Sequence, residues 1–293
     1  MNLTSAQQVK SILARHGLRP SKRLGQNFLI DRNVLDRIVT ASGAGPGVGV
    51  LEIGPGLGTV TVELAAAGAE VVCVEFDTGL AALLEETLAG VPGVQIVTGD
   101  FLKVDLEKLL GGRGRDTWVV VGNLPYYITS PIISRLLDRK SLFSTALIMV
   151  QREVAARLRA APGSEDYGAL TVFVAYHCEV ESIMKVSRNV FYPVPEVDSE
   201  LVRLTVRRSP AVTVSDEPLF FSIVRSAFGK RRKTLANALS SSPGLRWDRD
   251  FARGVLERSG VDGERRGETL SIEEFALLAE SAVGQKGCTE NER

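Results

Sequence analysis

The stretch that most limits what this chain can become is Val50-Leu51-Glu52-Ile53-Gly54-Pro55-Gly56-Leu57-Gly58-Thr59. A short, largely apolar run leads into glycines at 54, 56 and 58, and a helical pattern follows at once. Glycine is favoured where the main chain must turn sharply or let a ligand come close. The helix behind such a turn offers main-chain N–H groups that have no partner of their own. The same pattern can also be a plain tight turn, so its surroundings decide.

Those surroundings repeat the strand-to-helix unit. Strand-like runs are expected over Gly49–Ile53, Glu70–Glu75, Val94–Thr98, Thr117–Gly122 and Ala146–Gln151, with helices over Thr59–Ala67, Thr78–Leu88, Asp105–Leu110 and Pro131–Leu137. The strand runs are apolar without clean alternation, as suits strands covered on both faces. Strand–helix alternation predicts an α/β fold with a parallel, doubly wound sheet. Ser130 should cap the helix that has Pro131 in its first position. Two later extended runs, Glu179–Val186 and Glu200–Arg207, flank the proline-rich segment FYPVPEVDS at 191–199 and should add an antiparallel pair at one side. Near the start, Val9, Ile12 and Leu13 mark an amphipathic helix, with Thr4 or Ser5 as cap and Gly17 as its end. Past Ser209-Pro210 only helical patterns remain, at about 216–228, 233–240, 247–258 and 271–282. This divides the chain into an α/β domain, 1–209, and a small all-helical domain, 210–293.

Composition removes several classes. Lys+Arg and Asp+Glu are both 35, so the formal net charge is +0; a globally basic nucleic-acid binder is excluded, a locally basic one is not. Hydrophobic residues at 44% with charged residues at 24% exclude a disordered, collagenous or disulfide-scaffold chain. No run approaches the ~18 apolar residues of a membrane span, and the first residues lack a signal peptide's apolar core. A cytoplasmic chain with no membrane partner is expected. Cys73, Cys178 and Cys288 form no CxxC pair and read as thiols in a reducing compartment. His16 and His177 are the only two histidines, which argues against a His-rich metal site; no metal is expected. No interface is evident, so the expected state is a monomer.

The strand after the glycine loop ends in Glu75, 17 residues after Gly58, and the next ends in Gly99-Asp100-Phe101. A carboxylate at the end of the second strand suits ribose hydroxyls. An acid beside an aromatic could hold an adenine. Either acid alone also reads as a solvated strand end. Dinucleotide sites use G-x-G-x-x-G, whereas E-x-G-x-G-x-G here resembles the first motif of class I methyltransferases, which bind S-adenosylmethionine; Gly54 and Gly56 would pass under that ligand.

The fourth strand is followed by Gly122-Asn123-Leu124-Pro125-Tyr126-Tyr127. The run N-L-P-Y resembles the [DN]-P-P-[YF] motif of enzymes that methylate exocyclic amino groups of bases. The chemistry asks for such a group. An adenine N6 lone pair is delocalised into the ring, so the nitrogen is a poor nucleophile. The Asn123 side-chain oxygen and the Leu124 main-chain carbonyl can accept both amino hydrogens and favour a pyramidal nitrogen. Pro125 fixes the turn, and Tyr126 can stack on a base taken out of its helix, at about 1–3 kcal/mol. Phe191 is a candidate second aromatic wall; in a proline-rich loop it also reads as packing.

At this point the whole chain resembles one family, the small-subunit ribosomal RNA adenine N6-dimethyltransferases (the KsgA/RsmA family). The landmarks are KRLGQNFL at 22–29, VLEIGPGLGT at 50–59, GDF at 99–101, GNLPY at 122–126, VQREVA at 150–155, FYPVPEVDS at 191–199 and AFGKRRKTLANAL at 227–239. They stand in family order over about residues 5–282. The resemblance implies a Rossmann-like class I methyltransferase domain followed by a small helical domain. It implies four methyl transfers from S-adenosylmethionine to two adjacent adenosines near the 3′ end of 16S rRNA, in a pre-30S particle. The positions matching the family's cofactor site are Asn27, Leu29, Gly54, Glu75, Asp100 and Asn123. Asn27 is not placed there by the sequence itself, where QNFL also reads as a lead-in to a helix capped by Asp31. Position 196 is Glu where the family often has a basic residue, and the tail after Val283 matches nothing and is expected to be mobile.

Charge is segregated although it sums to zero. Residues 1–37 hold seven Lys/Arg, among them Lys22 and Arg23, against two acids, and residues 201–250 hold ten against four. The densest run is Lys230-Arg231-Arg232-Lys233. Such a run also reads as a solvated face; beside a base-methylating pocket, phosphate contacts are the expectation. Rival readings are the related 23S rRNA dimethylase of macrolide resistance, a non-catalytic assembly factor on the same fold, a DNA adenine methyltransferase and a nicotinamide oxidoreductase. The 191–199 and 227–239 segments favour the small-subunit enzyme, the lack of an evident target-recognition domain speaks against the DNA enzyme, and the glycine spacing disfavours the nicotinamide.

Overall fold

A computed structural model describes residues 3–230 and 232–291, with side chains to Gln285. The chain forms two compact units. The first, up to Ala155 plus Glu179–Val206, holds a seven-stranded sheet. Its strands are β1 Gly49–Ile53, β2 Glu70–Glu75, β3 Val94–Thr98, β4 Trp118–Asn123, β5 Phe143–Gln151, β6 Cys178–Val186 and β7 Ser199–Val206, in the order β3-β2-β1-β4-β5-β7-β6. The first five pair in parallel, and β7 runs antiparallel to β5 from Thr145↔Thr205 to Gln151↔Ser199. All five residues of β1 are buried, which is why its sequence shows no alternation.

The helices of this unit are α1 Ala6–Arg15, α2 Arg32–Ser42, α3 Thr59–Ala66, α4 Thr78–Thr87, α5 Leu106–Leu110, α6 Thr129–Asp138 and α7 Arg152–Leu158, whose last residues enter the second unit. Aspartates cap several of them: Asp31 Oδ1 accepts from Val34 N at 2.9 Å, and Asp77 Oδ1 from Gly79 N at 2.9 Å, each such cap worth about 1 kcal/mol. Ser5 stands at the N-cap of α1 but its side chain makes no cap bond, and Gly17 follows that helix at φ 65°. The α6 start differs from expectation. The 3-10 turn Tyr126–Ile128 runs straight into the helix, so it begins at Thr129, and Pro131 is third, still in the turn whose N–H groups need no helical partner. A two-residue antiparallel ladder, Phe28↔Tyr192 and Leu29↔Phe191, ties the N-terminal segment to the loop before β7.

The second unit is Ala156–Cys178 together with the chain from Arg207 on. It contains α8 Ala169–His177, α9 Glu217–Phe228, α10 Leu235–Ser240, α11 Arg249–Ser259 and α12 Ile272–Asn291. The division at 209/210 therefore differs from the observed grouping: Tyr167, Val172 and Tyr176 share a core with Phe220, Val224, Leu239, Val255 and Phe275. The last helix continues to Asn291, where a loose tail after Val283 was expected. Among the described residues no helix is long and apolar enough to cross a membrane.

Candidate active site

Strands β1 and β4 lie side by side, and the chain leaves β1 toward one edge of the sheet and β4 toward the other. Such a switch point opens a crevice beyond the carboxyl ends of the strands. A cavity of about 260 Å³ sits there, bounded by Gly54 and Gly56 after β1, Glu75 and Phe76 at β2, Asp100 and Phe101 after β3, Asn123 and Pro125 at β4, and residues 24–28.

The glycines match their surroundings. Gly54, Gly56 and Gly58 have φ of 67°, 61° and 82°, a region that costs other residues. A Cβ on Gly56 would stand 3.1 Å from the Phe28 ring, whereas one on Gly54 would meet nothing within 4 Å. The chain thus leaves open space beside Gly54, which lines the cavity.

Glu75 is 6% exposed. Its Oε1 accepts from Asp77 N at 2.9 Å and its Oε2 from Gly56 N at 3.2 Å. Burial raises its pKa, against the lowering by the backbone N–H groups of Asp77, Gly56 and Phe76. A carboxylate has about four lone-pair sites, so these N–H groups do not use up its capacity to accept from a hydroxyl. Asp100 Oδ1 is turned back onto Leu102 N at 2.9 Å, and its Oδ2 lies 3.6 Å from Lys103 Nζ.

At the other end, Asn123 Nδ2 donates to the main-chain oxygen of Asn27 at 3.1 Å. That oxygen can only accept, so the amide's orientation is fixed and its Oδ1 is left for another donor. Leu124 is buried, its N–H donating to Met149 O at 3.0 Å. Pro125 O receives Thr129 Oγ1 at 3.0 Å, which binds the loop to the start of α6.

Beneath the glycine loop, Glu52 is fully buried. Thr61 Oγ1 donates to its Oε2 at 2.6 Å, and Cys73 Sγ lies 3.7 Å from the same oxygen. Burial pushes the Glu52 carboxyl up to about 7 and the Cys73 thiol well above its usual value.

The residues expected from sequence divide into three sets. Asn27, Gly54, Gly56, Glu75, Asp100, Asn123 and Pro125 share the main cavity. Leu124 does not line it, and Leu29 lies off it, on a smaller space of about 50 Å³ beneath the loop. Tyr126 and Phe191 depart from expectation. Tyr126 is half-buried, with its hydroxyl bonded to Ser199 and its pKa raised by burial. Phe191 is 2% exposed and packs among Leu29, Leu35 and Leu201, because the ladder turns it inward. The aromatic rings at the mouth are instead Tyr127 and Phe76, both more than half exposed. Sequence reasoning missed these two and Gln26; Phe76 follows Glu75 directly, a signal that could have been used.

Lys22 and Arg23 form an exposed 3-10 turn closed by Gly25. Lys230, Arg232 and Lys233 are exposed in the second unit, between α9 and α10, and Arg231 lies outside the described residues.

Comparisons with known proteins agree with one another. The family model Ribosomal RNA adenine dimethylase matches residues 17–277. The chain is 49% identical over 286 residues to Ribosomal RNA small subunit methyltransferase A of Pelotomaculum thermopropionicum, covering 95% of this chain and 97% of the relative. A solved dimethyladenosine transferase from Plasmodium falciparum superposes with a TM-score of 0.74 at 27% identity, covering 88% of this chain and 98% of that one. The solved 23S rRNA methyltransferase ErmE superposes at 0.64 with 32% identity, covering 88% and 100%.

Proposed function

The chain belongs to the ribosomal RNA adenine dimethylase family, and from that premise we propose that it transfers methyl groups from S-adenosylmethionine to N6 of two adjacent adenosines near the 3′ end of 16S rRNA, dimethylating both. The observation that carries this reading is the orientation of Asn123, whose amide is turned by Asn27 so that its oxygen is left for a donor at the cavity.

The residues fit the cofactor. Glu75 keeps capacity to accept from a ribose hydroxyl, and Asp100 with Phe101 can hold an adenine edge and face. The space beside Gly54, which a side chain would fill, takes the amino-acid part. Bound there, S-adenosylmethionine supplies an electrophilic methyl on a sulfonium. This chain's residues prepare the acceptor. Asn123 Oδ1 and the Leu124 carbonyl accept the two hydrogens of the adenine amino group, and the nitrogen lone pair is freed from the ring. With the cofactor bound, its methyl would be the group that this nitrogen takes up, and the amino proton, made acidic by that change, would be free to pass to solvent without a strong base. Tyr127 offers its exposed ring to a base at the mouth, the part expected of Tyr126.

We read Lys22, Arg23 and the run 230–233 as phosphate contacts, the substrate as 16S rRNA within a pre-30S particle, and the protein as a cytoplasmic monomer. The 23S-type reading shares the fold, but 32% identity to ErmE against 49% to the small-subunit relative favours the latter. The placement of Asn123 and Glu75 on one cavity speaks against a non-catalytic factor. S-adenosylhomocysteine should bind in calorimetry and raise the melting temperature as any ligand of the native state does, and NAD should not. No heat and no shift with S-adenosylhomocysteine would refute the cofactor assignment.

A further inference from the structure

Gln26 has no part in the reading above, yet it sits at a junction. Its Oε1 accepts from Ser21 N at 2.7 Å, and its own N–H donates to Ser21 O at 3.2 Å, so the segment 21–26 is closed on itself twice. Its Nε2 donates to Asp77 Oδ2 at 2.8 Å. The other oxygen of Asp77 caps α4, and Asp77 N donates to Glu75 Oε1. One residue on, the Asn27 carbonyl receives Asn123. Consecutive residues of one strap, 26 and 27, are therefore bonded to the two ends of the cavity, the Glu75 end and the Asn123 end. Gly25, at φ 64° and with its Cβ position 3.5 Å from Pro125 Cβ, sets the turn that brings them there.

We propose that Gln26 is a positioning residue for cofactor binding: by holding the strap to Asp77 it fixes the main chain that orients the Glu75 carboxylate and closes the cavity over its ligand. The inference rests on the reading that this cavity takes S-adenosylmethionine. The residue type follows from the geometry. One end of the side chain must accept from Ser21 and the other must donate to a carboxylate, which a carboxamide does and a carboxylate does not. Asparagine has the right ends but is one methylene short.

The pair can be inverted. In Gln26→Glu, an oxygen faces the Asp77 oxygen and the two carboxylates repel. In Asp77→Asn, with its amide nitrogen toward Gln26, two donors face each other while the α4 cap survives. In the double variant a Glu at 26 accepts from an Asn at 77, the Ser21 and α4 bonds persist, and the total charge is that of the parent. Titrating full-length proteins with S-adenosylhomocysteine by calorimetry, we expect each single change to weaken binding about tenfold and the double variant to return to within about twofold of the parent. Should Gln26→Glu not fold, Gln26→Ala serves, with a similar loss of affinity and a ligand-free melting temperature close to the parent. Single variants that bind like the parent, or a double variant as weak as the two losses combined, would overturn the role of Gln26 and leave the cofactor reading standing. A parent protein that does not bind S-adenosylhomocysteine would overturn both.

Discussion

The side-chain amide of Asn123 donates to the main-chain carbonyl of Asn27, 3.1 Å away and 96 positions earlier in the chain. The bond uses the donor end of the amide and so settles which atom is left at the cavity. Asn123 is thereby an acceptor without a titratable group, suited to an amino substrate and indifferent to pH. Replacing it with Ala removes that acceptor but none of the groups assigned to the ribose or adenine of the cofactor. Asn123→Ala should still bind S-adenosylhomocysteine, weakened by about tenfold at most through loss of the strap bond to Asn27, while single-turnover methylation at saturating cofactor falls by roughly a hundredfold or more, the scale for removing one positioned polar group from a transition state. Retained dimethylation would refute the role given to Asn123.

Gly56 combines a left-handed backbone with a neighbour that cannot easily withdraw. At φ 61°, with the Phe28 ring 3.1 Å from the Cβ position, Gly56→Ala should lose about 1–3 kcal/mol of stability and weaken S-adenosylhomocysteine binding, because the loop N–H that meets Glu75 moves. Denaturant unfolding and calorimetry measure the two effects. An alanine variant with parental stability would contradict the close packing described.

The buried Glu52 predicts a pH dependence with a definite sign. Burial raises its folded pKa from the ordinary 4.5 to about 7. The neutral acid is therefore the form the fold prefers. Its stabilising contribution is full below about pH 4.5 and is lost as the pH rises through about 7. Glu52→Gln cannot ionise, so relative to the parent it should gain stability across that window, on the order of 1 kcal/mol per pH unit, and hold the gain above it. Melting curves at several pH values check this; parallel profiles for the two proteins would rule it out.

The exposed basic side chains of the second unit make a separable prediction. Changing Lys230, Arg232 and Lys233 to Glu should weaken binding to 16S rRNA, and the slope of log affinity against log salt should become shallower by roughly 2. Affinity for S-adenosylhomocysteine should not change. An unaltered salt slope would remove these residues from the RNA contact.

Much of the architecture was legible because the α/β unit is locally consistent. The limits of Gly49–Ile53, Glu70–Glu75 and Val94–Thr98 agree with the strands observed, since each run is apolar and bounded by turn residues. Helix α8 was not read. Its sequence, ALTVFVAYH, is rich in β-branched and aromatic residues that favour extended chain, and burial against Phe220 and Phe221 overrides that preference. Membership of Ala156–Cys178 in the helical unit depends on those same distant contacts.

The cavity was legible wherever a motif ended a strand, as at Gly54, Glu75, Asp100 and Asn123. What stayed hidden were side-chain directions and long-range bonds. Tyr126 and Tyr127 are neighbours in sequence, yet one turns to Ser199 and the other to the mouth. Phe191 and Tyr192 alternate across a two-residue ladder, so the first is fully buried under the sheet and the second is half-buried against the cluster of Val9 and Phe28. The Gln26–Asp77 bond joins residues 51 positions apart, and no local pattern reports it.

The most direct test of the account is to incubate the full-length protein with unmethylated 30S particles and methyl-labelled S-adenosylmethionine, and then map the modified nucleotides. The account predicts label on N6 of two adjacent adenosines near the 3′ end of 16S rRNA, both dimethylated at completion, and almost none with Asn123→Ala. Label on another atom, on 23S rRNA instead, or at undiminished yield with Asn123→Ala would contradict it.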